Sequence, residues 1–141
     1  MLRIIPLCFS LLLAGCSTKH FDDSEHEYFS KYIGKKVELL EEQRLCLVRN
    51  DINSRAFRTV TLIDNDEYCE IRVLKNLPVG ARVTIQRVVK QWMPVSGSAW
   101  YALGEVEVEG EKVEFEYHYG YLNINRAPWE SEDVPPKRPI P

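Results

Sequence analysis

The chain lacks any apolar segment as long as a membrane-spanning helix, which needs about 20 residues. Its longest apolar stretch, residues 4–13, ends well short of that length. Glycine-rich phosphate loops and the nucleophile motif GxSxG are absent as well. These absences argue against a transmembrane helix, a nucleotide-binding enzyme and a serine hydrolase.

Histidine and cysteine are too scattered to define a metal site. The sequence has three histidines and four cysteines, without a CxxC pair or the i,i+4 histidine pair of helical zinc motifs. Acidic residues cluster between positions 20 and 27, but the helix macrodipole already accounts for carboxylates at a helix N-terminus. The glutamates of the later strands lack the burial that tunes a catalytic pKa. We therefore predict a non-enzymatic protein with no catalytic residue, no metal and no cofactor.

Charge is distributed unevenly along the chain. The net charge is −3, which argues against a nucleic-acid partner because phosphate backbones bind basic surfaces. Residues 35–90 carry eleven Lys and Arg against eight Asp and Glu, whereas residues 91–136 carry two against nine. This asymmetry favours ion pairs between the two halves of the chain.

The first sixteen residues have the order of an export signal. Arg3 precedes the apolar stretch, and the small residues Ala14 and Gly15 suit a cleavage site. The run Leu13-Ala14-Gly15-Cys16 also resembles the lipobox of bacterial lipoproteins, in which the Cys thiol is lipidated, the preceding peptide is removed and the new amino terminus is acylated. This resemblance implies a signal peptide over residues 1–15 and lipid on Cys16. An ordinary signal peptide with a chance cysteine is the alternative.

The residue after the lipobox bears on localisation. In lipoproteins of Gram-negative bacteria an Asp at this position commonly retains the protein at the inner membrane, and here the residue is Ser17. The resemblance therefore implies attachment to the outer membrane, with the domain facing the periplasm. Several acyl chains make such an anchor lasting, since each buried methylene contributes about 0.8 kcal/mol.

Two cysteines remain once Cys8 leaves with the signal peptide and Cys16 carries lipid. An oxidising compartment favours disulfides, so we predict a bridge between Cys46 and Cys69. By chain entropy, a bridge closing a loop of this size contributes roughly 3 kcal/mol. A reactive or metal-binding thiol pair is the alternative.

Hydrophobic periodicity predicts a mainly β fold. Residues 16–23 are polar and suit a tether, and a capping box at Ser24 and Glu27 predicts a short helix that ends at Gly34. Beyond it, alternation with a period of two predicts a single domain over residues 24–129, a small antiparallel SH3-like or OB-like barrel of about six or seven strands. Proline removes backbone donors, so the tail, 130–141, is expected to be extended or disordered.

A turn-and-strand segment supports the barrel. Leu77-Pro78-Val79-Gly80 and the strand that follows to Ile85 resemble a segment of bacterial SH3-like domains, over about nine residues. The resemblance implies a small barrel and carries no activity with it. Such barrels bind peptides, cell-wall polymer or other proteins.

The segment EVEVEGEKVEFEY, residues 105–117, predicts a β-hairpin. A two-residue loop at Gly110-Glu111 fits a type II′ turn and sets Glu109 opposite Lys112. The same register sets glutamates directly opposite one another, which is destabilising. Water and salt could compensate, as could a basic partner or divalent cation, or the neighbouring cations Arg82, Arg87 and Lys90.

This hairpin also carries the candidate partner-binding surface. If no bulge intervenes at Gly104, Tyr101 and Leu103 share the glutamate face, with Leu103 opposite His118, and an apolar patch beside an acidic one is typical of a protein-binding surface. Trp100 and Tyr121 have inward parity and are expected in the core, whereas Trp92 is freer to form a ligand groove. The candidate residues are Trp92, Tyr101, Leu103, Glu105, Glu107, Glu114, Glu116 and His118.

We carry three hypotheses from these patterns. The first is a lipid-anchored envelope lipoprotein that acts as an interaction or structural module for an envelope protein or peptidoglycan. The second is a periplasmic inhibitor or immunity-type lipoprotein that neutralises a toxin or hydrolase, with the acidic face suited to a basic partner. The third, an enzyme acting on lipid or wall polymer, has no residues to support it.

Overall fold

A computed structural model describes residues 17–49 and 57–140, and its regular elements are all strands. The predicted signal peptide and the predicted lipidation at Cys16 lie outside the described residues. The strands are β1 (Lys19–Asp22), β2 (Lys36–Glu38), β3 (Gln43–Leu47), β4 (Val60–Asp64), β5 (Arg72–Leu77), β6 (Arg82–Met93), β7 (Gly97–Val108), β8 (Glu111–Tyr121), β9 (Asn123–Asn125) and β10 (Lys137–Pro139).

Eight of these strands form one sheet, so the prediction of a mainly β fold is confirmed. Their order is β1-β6-β7-β8-β4-β3-β5, with β2 also pairing with β6, while β9 and β10 form a separate pair. All pairs are antiparallel except β4 and β8, which run parallel. In the described part of the chain no backbone pairing joins β5 to the opposite end of the sheet, so the sheet is open. The small antiparallel SH3-like or OB-like barrel that we predicted is therefore not supported.

The three long strands β6, β7 and β8 supply the centre of the core. Inward and outward residues alternate along most of their length, as the period of a strand requires, and the alternation in β6 is interrupted by a register shift between Ile85 and Arg87. Ile85, Val88 and Phe115 are completely buried. Gly104 lies under the ring of Phe115, where a Cβ atom would come within 2.7 Å of Cζ. Tyr119 packs its ring 5.0 Å from the ring of Phe29, which comes from the turn segment before β2.

Residues 24–34 form a succession of turns, so the predicted helix is wrong. The amide of Phe29 donates to the carbonyl of His26, and the amide of Tyr32 donates to Phe29, both at 2.9 Å. The Ser24 hydroxyl, which a capping box needs, instead accepts a hydrogen bond from the amide of Val88 in β6 at 2.9 Å. Tertiary contact with the sheet therefore takes the place of the helix cap.

Both ends of the described chain join sheets. Residues 19–22, which we predicted to be a tether, form β1 and pair with the end of β6. In the proline-rich tail, β10 pairs with β9, although we expected proline to prevent a sheet there. Only one of the three β10 residues, Pro139, lacks an amide hydrogen, so Lys137 and Arg138 remain able to pair.

A buried ion pair fixes the tail to the domain. The carboxylate of Glu130 is 3% exposed and accepts hydrogen bonds from Arg138 Nη2 at 3.0 and 3.1 Å. It also accepts one from the amide of Ala127 at 2.9 Å. Trp129, at the start of the tail, is buried with its ring 5.0 Å from that of Tyr117.

The predicted disulfide is present. Cys46 in β3 and Cys69, in the loop before β5, are bonded across a sequence separation of 23. The bridge ties the loop between β4 and β5 to the strand that β5 pairs with. It therefore limits the freedom of β5 at the end of the sheet.

Removing the disulfide should weaken the fold substantially. In a Cys46→Ala/Cys69→Ala variant we expect the free energy of unfolding to fall by about 3 kcal/mol, because the unfolded chain regains the entropy of an open loop. Urea unfolding followed by circular dichroism measures the loss. Wild-type protein under reducing conditions is the matched control, and an unchanged midpoint in both samples would contradict the prediction.

Removing one partner of the buried ion pair between Glu130 and Arg138 should lower the free energy of unfolding. Arg138→Met leaves the Glu130 carboxylate buried without its partner, and we expect a loss of about 3–5 kcal/mol in the free energy of unfolding. Glu130→Gln/Arg138→Met should recover much of this loss, because the neutral amide still accepts from Ala127. The control Lys137→Ala removes an exposed cation of the same strand. A loss in the control equal to that in Arg138→Met would contradict a role for the pair.

Candidate partner-binding surfaces

The predicted hairpin is present, but its turn lies one residue earlier than predicted. Glu109 and Gly110 both have positive φ, 53° and 83°, which is the pattern of a type I′ turn. Lys112 consequently pairs with Glu107 rather than with Glu109. Glu109 instead lies 3.8 Å from the ammonium of Lys75 in β5.

The side chains that we expected to share one face of β7 and β8 still share it. The predicted and observed loops both contain two residues, so the inward and outward alternation is preserved. The cross-strand partners change: Glu105 faces Glu114, Leu103 faces Glu116 and Tyr101 faces His118. The predicted register opposed Glu107 to Glu114 and Glu105 to Glu116, and the observed register keeps one opposed pair, Glu105 and Glu114.

The chain itself supplies the charge that compensates these opposed glutamates. Arg58 Nη1 lies 2.7 Å from Glu114 Oε2, and Lys112 Nζ lies 3.2 Å from Glu105 Oε1. Gln86 links the two sides by donating to Glu105 and accepting from Arg58. Intramolecular compensation is thus the arrangement found, through Arg58 and Lys112 rather than through the cations predicted for it.

Glu116 and Leu103 are buried, in contrast to the exposed position that we predicted. The carboxylate of Glu116 accepts hydrogen bonds from the backbone amides of Phe57, at 2.6 Å, and Arg58, at 3.1 Å. Burial raises the pKa of Glu116, and these two amides and the Arg58 charge oppose that shift. The segment at Phe57 and Arg58, which the sequence did not place here, therefore covers the middle of the face.

Aromatic rings occupy the other end of the same face. Tyr101 and His118 stack with their ring centroids 4.9 Å apart, and Phe57 meets Tyr101 edge to face at 5.0 Å. His20 of β1 contacts Phe57 in turn. Desolvation lowers the pKa of His118, and a backbone hydrogen bond at Gly120 opposes that shift. The result is a row of aromatic rings beside a group of carboxylates, of which Glu105, Glu114 and Glu116 are paired within the chain.

The tryptophans divide largely as the sequence indicated. Trp100 is buried and donates its Nε1 hydrogen to Asp23 at 2.8 Å, whereas Trp92 is 36% exposed. Tyr121 is exposed, although its parity predicted a place in the core. A register shift between Trp100 and Tyr101 leaves Tyr119 without a cross-strand partner, and Tyr119 takes the core position instead.

An exposed apolar edge at β5 was not predicted from the sequence. Four apolar side chains of this strand and the loop before it are open to solvent: Tyr68, Ile71, Val73 and Leu74. Within the described residues, β5 pairs with β3 alone and ends the order of the sheet. Its weak alternation of apolar and polar residues is the signal that could have indicated a strand exposed on both faces.

A cleft of about 450 Å³ lies beside β4 and β8 and is lined in part by Glu67, Tyr117 and His118. Burial raises the pKa of Glu67 and of Tyr117, so the phenol remains protonated at neutral pH. Among residues 17–49 and 57–140, no group of three His, Cys, Asp or Glu side chains is placed to hold a metal ion. The cleft thus offers a phenol that can donate a hydrogen bond, together with a carboxyl group and an imidazole ring.

Comparisons of the chain with protein-family models, with curated proteins and with solved structures find no match. No helix in the described ranges has the length and apolar character needed to cross a bilayer. We therefore infer the function from the surfaces described above.

The buried carboxylate of Glu116 should give the fold a distinct pH dependence. A raised pKa in the folded state means that Glu116 favours folding most below its unfolded pKa, and this advantage is lost as the pH rises through the folded pKa. Between pH 7 and pH 4.5, the stability of wild type relative to Glu116→Gln should therefore rise as the pH falls. Urea midpoints at several pH values measure it.

The matched control for this experiment is Glu107→Gln, because Glu107 is exposed on the same face. The control should follow the wild-type pH dependence closely. If wild type and Glu116→Gln keep a constant difference over this range, the carboxylate does not have the raised pKa that its burial implies.

Proposed function

We propose that this protein is a lipid-anchored lipoprotein of the periplasmic face of the outer membrane, and that it acts as a non-enzymatic module binding another envelope protein. The lipobox resemblance at Cys16 supports the anchor. The exposed apolar edge of β5 supports the binding role and is the observation that carries the proposal. The SH3-like resemblance adds only the general expectation of a binding module, because the described sheet is open.

The edge of β5 is suited to accept a strand from a partner. An unpaired sheet edge presents a row of backbone hydrogen-bond donors and acceptors. An extended polypeptide segment can bind to them and add a further strand to the sheet. The strand is exposed from Arg72 to Asn76. The disulfide between Cys69 and Cys46 fixes the loop that leads into this strand. A preformed, tethered edge costs less entropy to engage than a flexible one.

The chemistry of the edge indicates what its partner presents. Two cations, Arg72 and Lys75, flank the apolar residues Val73 and Leu74, and the exposed ammonium of Lys75 also lies 3.8 Å from Glu109. Two copies of β5 would bring these like charges together, which disfavours pairing of the protein with itself. A partner strand that combines acidic and apolar side chains is complementary, so we propose an acidic, extended polypeptide segment as the occupant.

A pull-down from intact envelopes tests this role. The variant Val73→Lys/Leu74→Lys places two further cations on the edge, and an added edge charge blocks strand addition. We expect it to lose the partner that wild type retains. The matched control is Val79→Lys, which adds a cation at the exposed turn between β5 and β6. Thermal unfolding should be nearly unchanged in both variants.

Two outcomes would contradict the proposal. If wild type and the edge variant capture the same proteins, β5 is not the binding edge. If purified protein instead sediments with peptidoglycan sacculi and the edge variant does not, the partner is cell-wall polymer rather than polypeptide. Incorporation of labelled palmitate, lost in Cys16→Ser, tests the anchor separately, and its absence in wild type would overturn that part.

A further inference from the structure

The start of the described chain enters the fold at the end of the sheet where β6 turns into β7. Lys19 pairs with Trp92 and Asp22 pairs with Val89, so β1 begins next to the last residues of β6. Ser17 and Thr18 are exposed and precede the strand. Residue 16 thus lies only three positions before a residue that is fixed against Trp92, and three extended residues reach at most about 11 Å.

Exposed apolar side chains gather at this same end of the sheet. Val95, in the turn between β6 and β7, is 95% exposed, and Leu122, just after β8, is 56% exposed. Trp92 and Tyr121 are also open to solvent. We call these four residues the turn-end patch.

Backbone contacts hold the members of the patch near one another. Met93 pairs with Gly97 across the turn, and Ala99 pairs with Tyr121. The amide of Leu122 donates to the carbonyl of Ser98 at 2.9 Å. The Leu122 side chain lies directly against Gly97, where a Cβ atom would come within 2.6 Å of Cδ2.

Charge at this end is sparse, and the Asp23 carboxylate that follows β1 accepts a hydrogen bond from the Trp100 indole. The segments 91–104 and 117–125, which build it, contain no Asp, Glu, Lys or Arg. Lys19 places its ammonium 5.7 Å from the centroid of the Trp92 ring. Aromatic residues with a flanking lysine and an exposed aliphatic tip are the composition that settles at a membrane–water interface.

From these observations we propose that the turn-end patch is a membrane-contact surface, which inserts into the lipid headgroups around the anchor and fixes the orientation of the domain. The occupant is the phospholipid bilayer that holds the acyl chains of Cys16. This inference rests on the proposed lipid anchor. With the anchor at most about 11 Å from Lys19, the patch lies at the depth of the headgroup layer, and the two ends of the sheet differ in their distance from the bilayer.

Depth measurement on the full-length lipidated protein tests this orientation. The protein is placed in vesicles of phosphatidylethanolamine and phosphatidylglycerol, and a nitroxide label is attached at Val95→Cys. The label should lie at the headgroup–acyl boundary or about 5–10 Å within it. There it should be more accessible to dissolved oxygen than to a water-soluble nickel chelate.

The matched control is Val79→Cys, an exposed valine in the turn that precedes β6, at the other end of that strand. Its label should remain accessible to the nickel chelate. Both sites are exposed turn positions, so neither label is expected to disturb the core. Equal accessibility of the two labels in vesicle-bound protein would overturn the proposal.

Failure of the anchor is distinguishable from failure of the patch. Protein that incorporates palmitate and floats with vesicles, yet has a water-exposed label at position 95, keeps the anchor and overturns the membrane-contact surface. Protein that neither incorporates palmitate nor floats with vesicles overturns both. Higher oxygen accessibility at position 95 than at position 79 supports both.

Discussion

The register between β7 and β8 determines which side chains of this protein meet. The register is set at the turn, where Glu109 and Gly110 both adopt positive φ. It places Phe115 over Gly104, where a Cβ atom would clash with the carbonyl oxygen of Thr84 and with the phenylalanine ring. Phe115 can fill the centre of the core only because that Cβ is missing. From the same register follow the opposed pair of Glu105 and Glu114 and the burial of Glu116.

The local sequence pattern predicted the hairpin correctly in part. Alternation of valine and glutamate predicted both the hairpin and the faces of its side chains, because these depend only on parity. The turn was misplaced by one residue, since positive φ at a glutamate is unfavourable and a glycine-first turn looked better. Packing of Phe115 against Gly104 and the ion pair of Lys112 with Glu105 accompany the observed turn, and neither contact is visible in local propensity.

The remaining misplaced elements depend on contacts distant in sequence. The capping box at Ser24 was a sound local signal, but Val88 engages the same hydroxyl. The composition of the polar segment before residue 24 and of the proline-rich tail predicted that both are solvated. In the structure β1 pairs with β6, and Arg138 forms an ion pair with Glu130. The Cys46–Cys69 bridge was predictable because the compartment that we expected favours disulfides and the cysteine count left one pairing. The covering of the acidic face by Phe57 and Arg58 had no signal in the sequence at all.

The parallel pairing of β4 with β8 has a consequence for how the chain reaches its native state. β4 ends at Asp64, whereas its partner ends at Tyr121, and a hairpin of two long strands lies between them. A chain that emerges from its amino terminus first cannot complete this sheet until nearly all of it is available. Such late, non-local closure slows folding and leaves strand edges open in the interim. The contact between β4 and β8 is therefore expected to form among the last steps of folding.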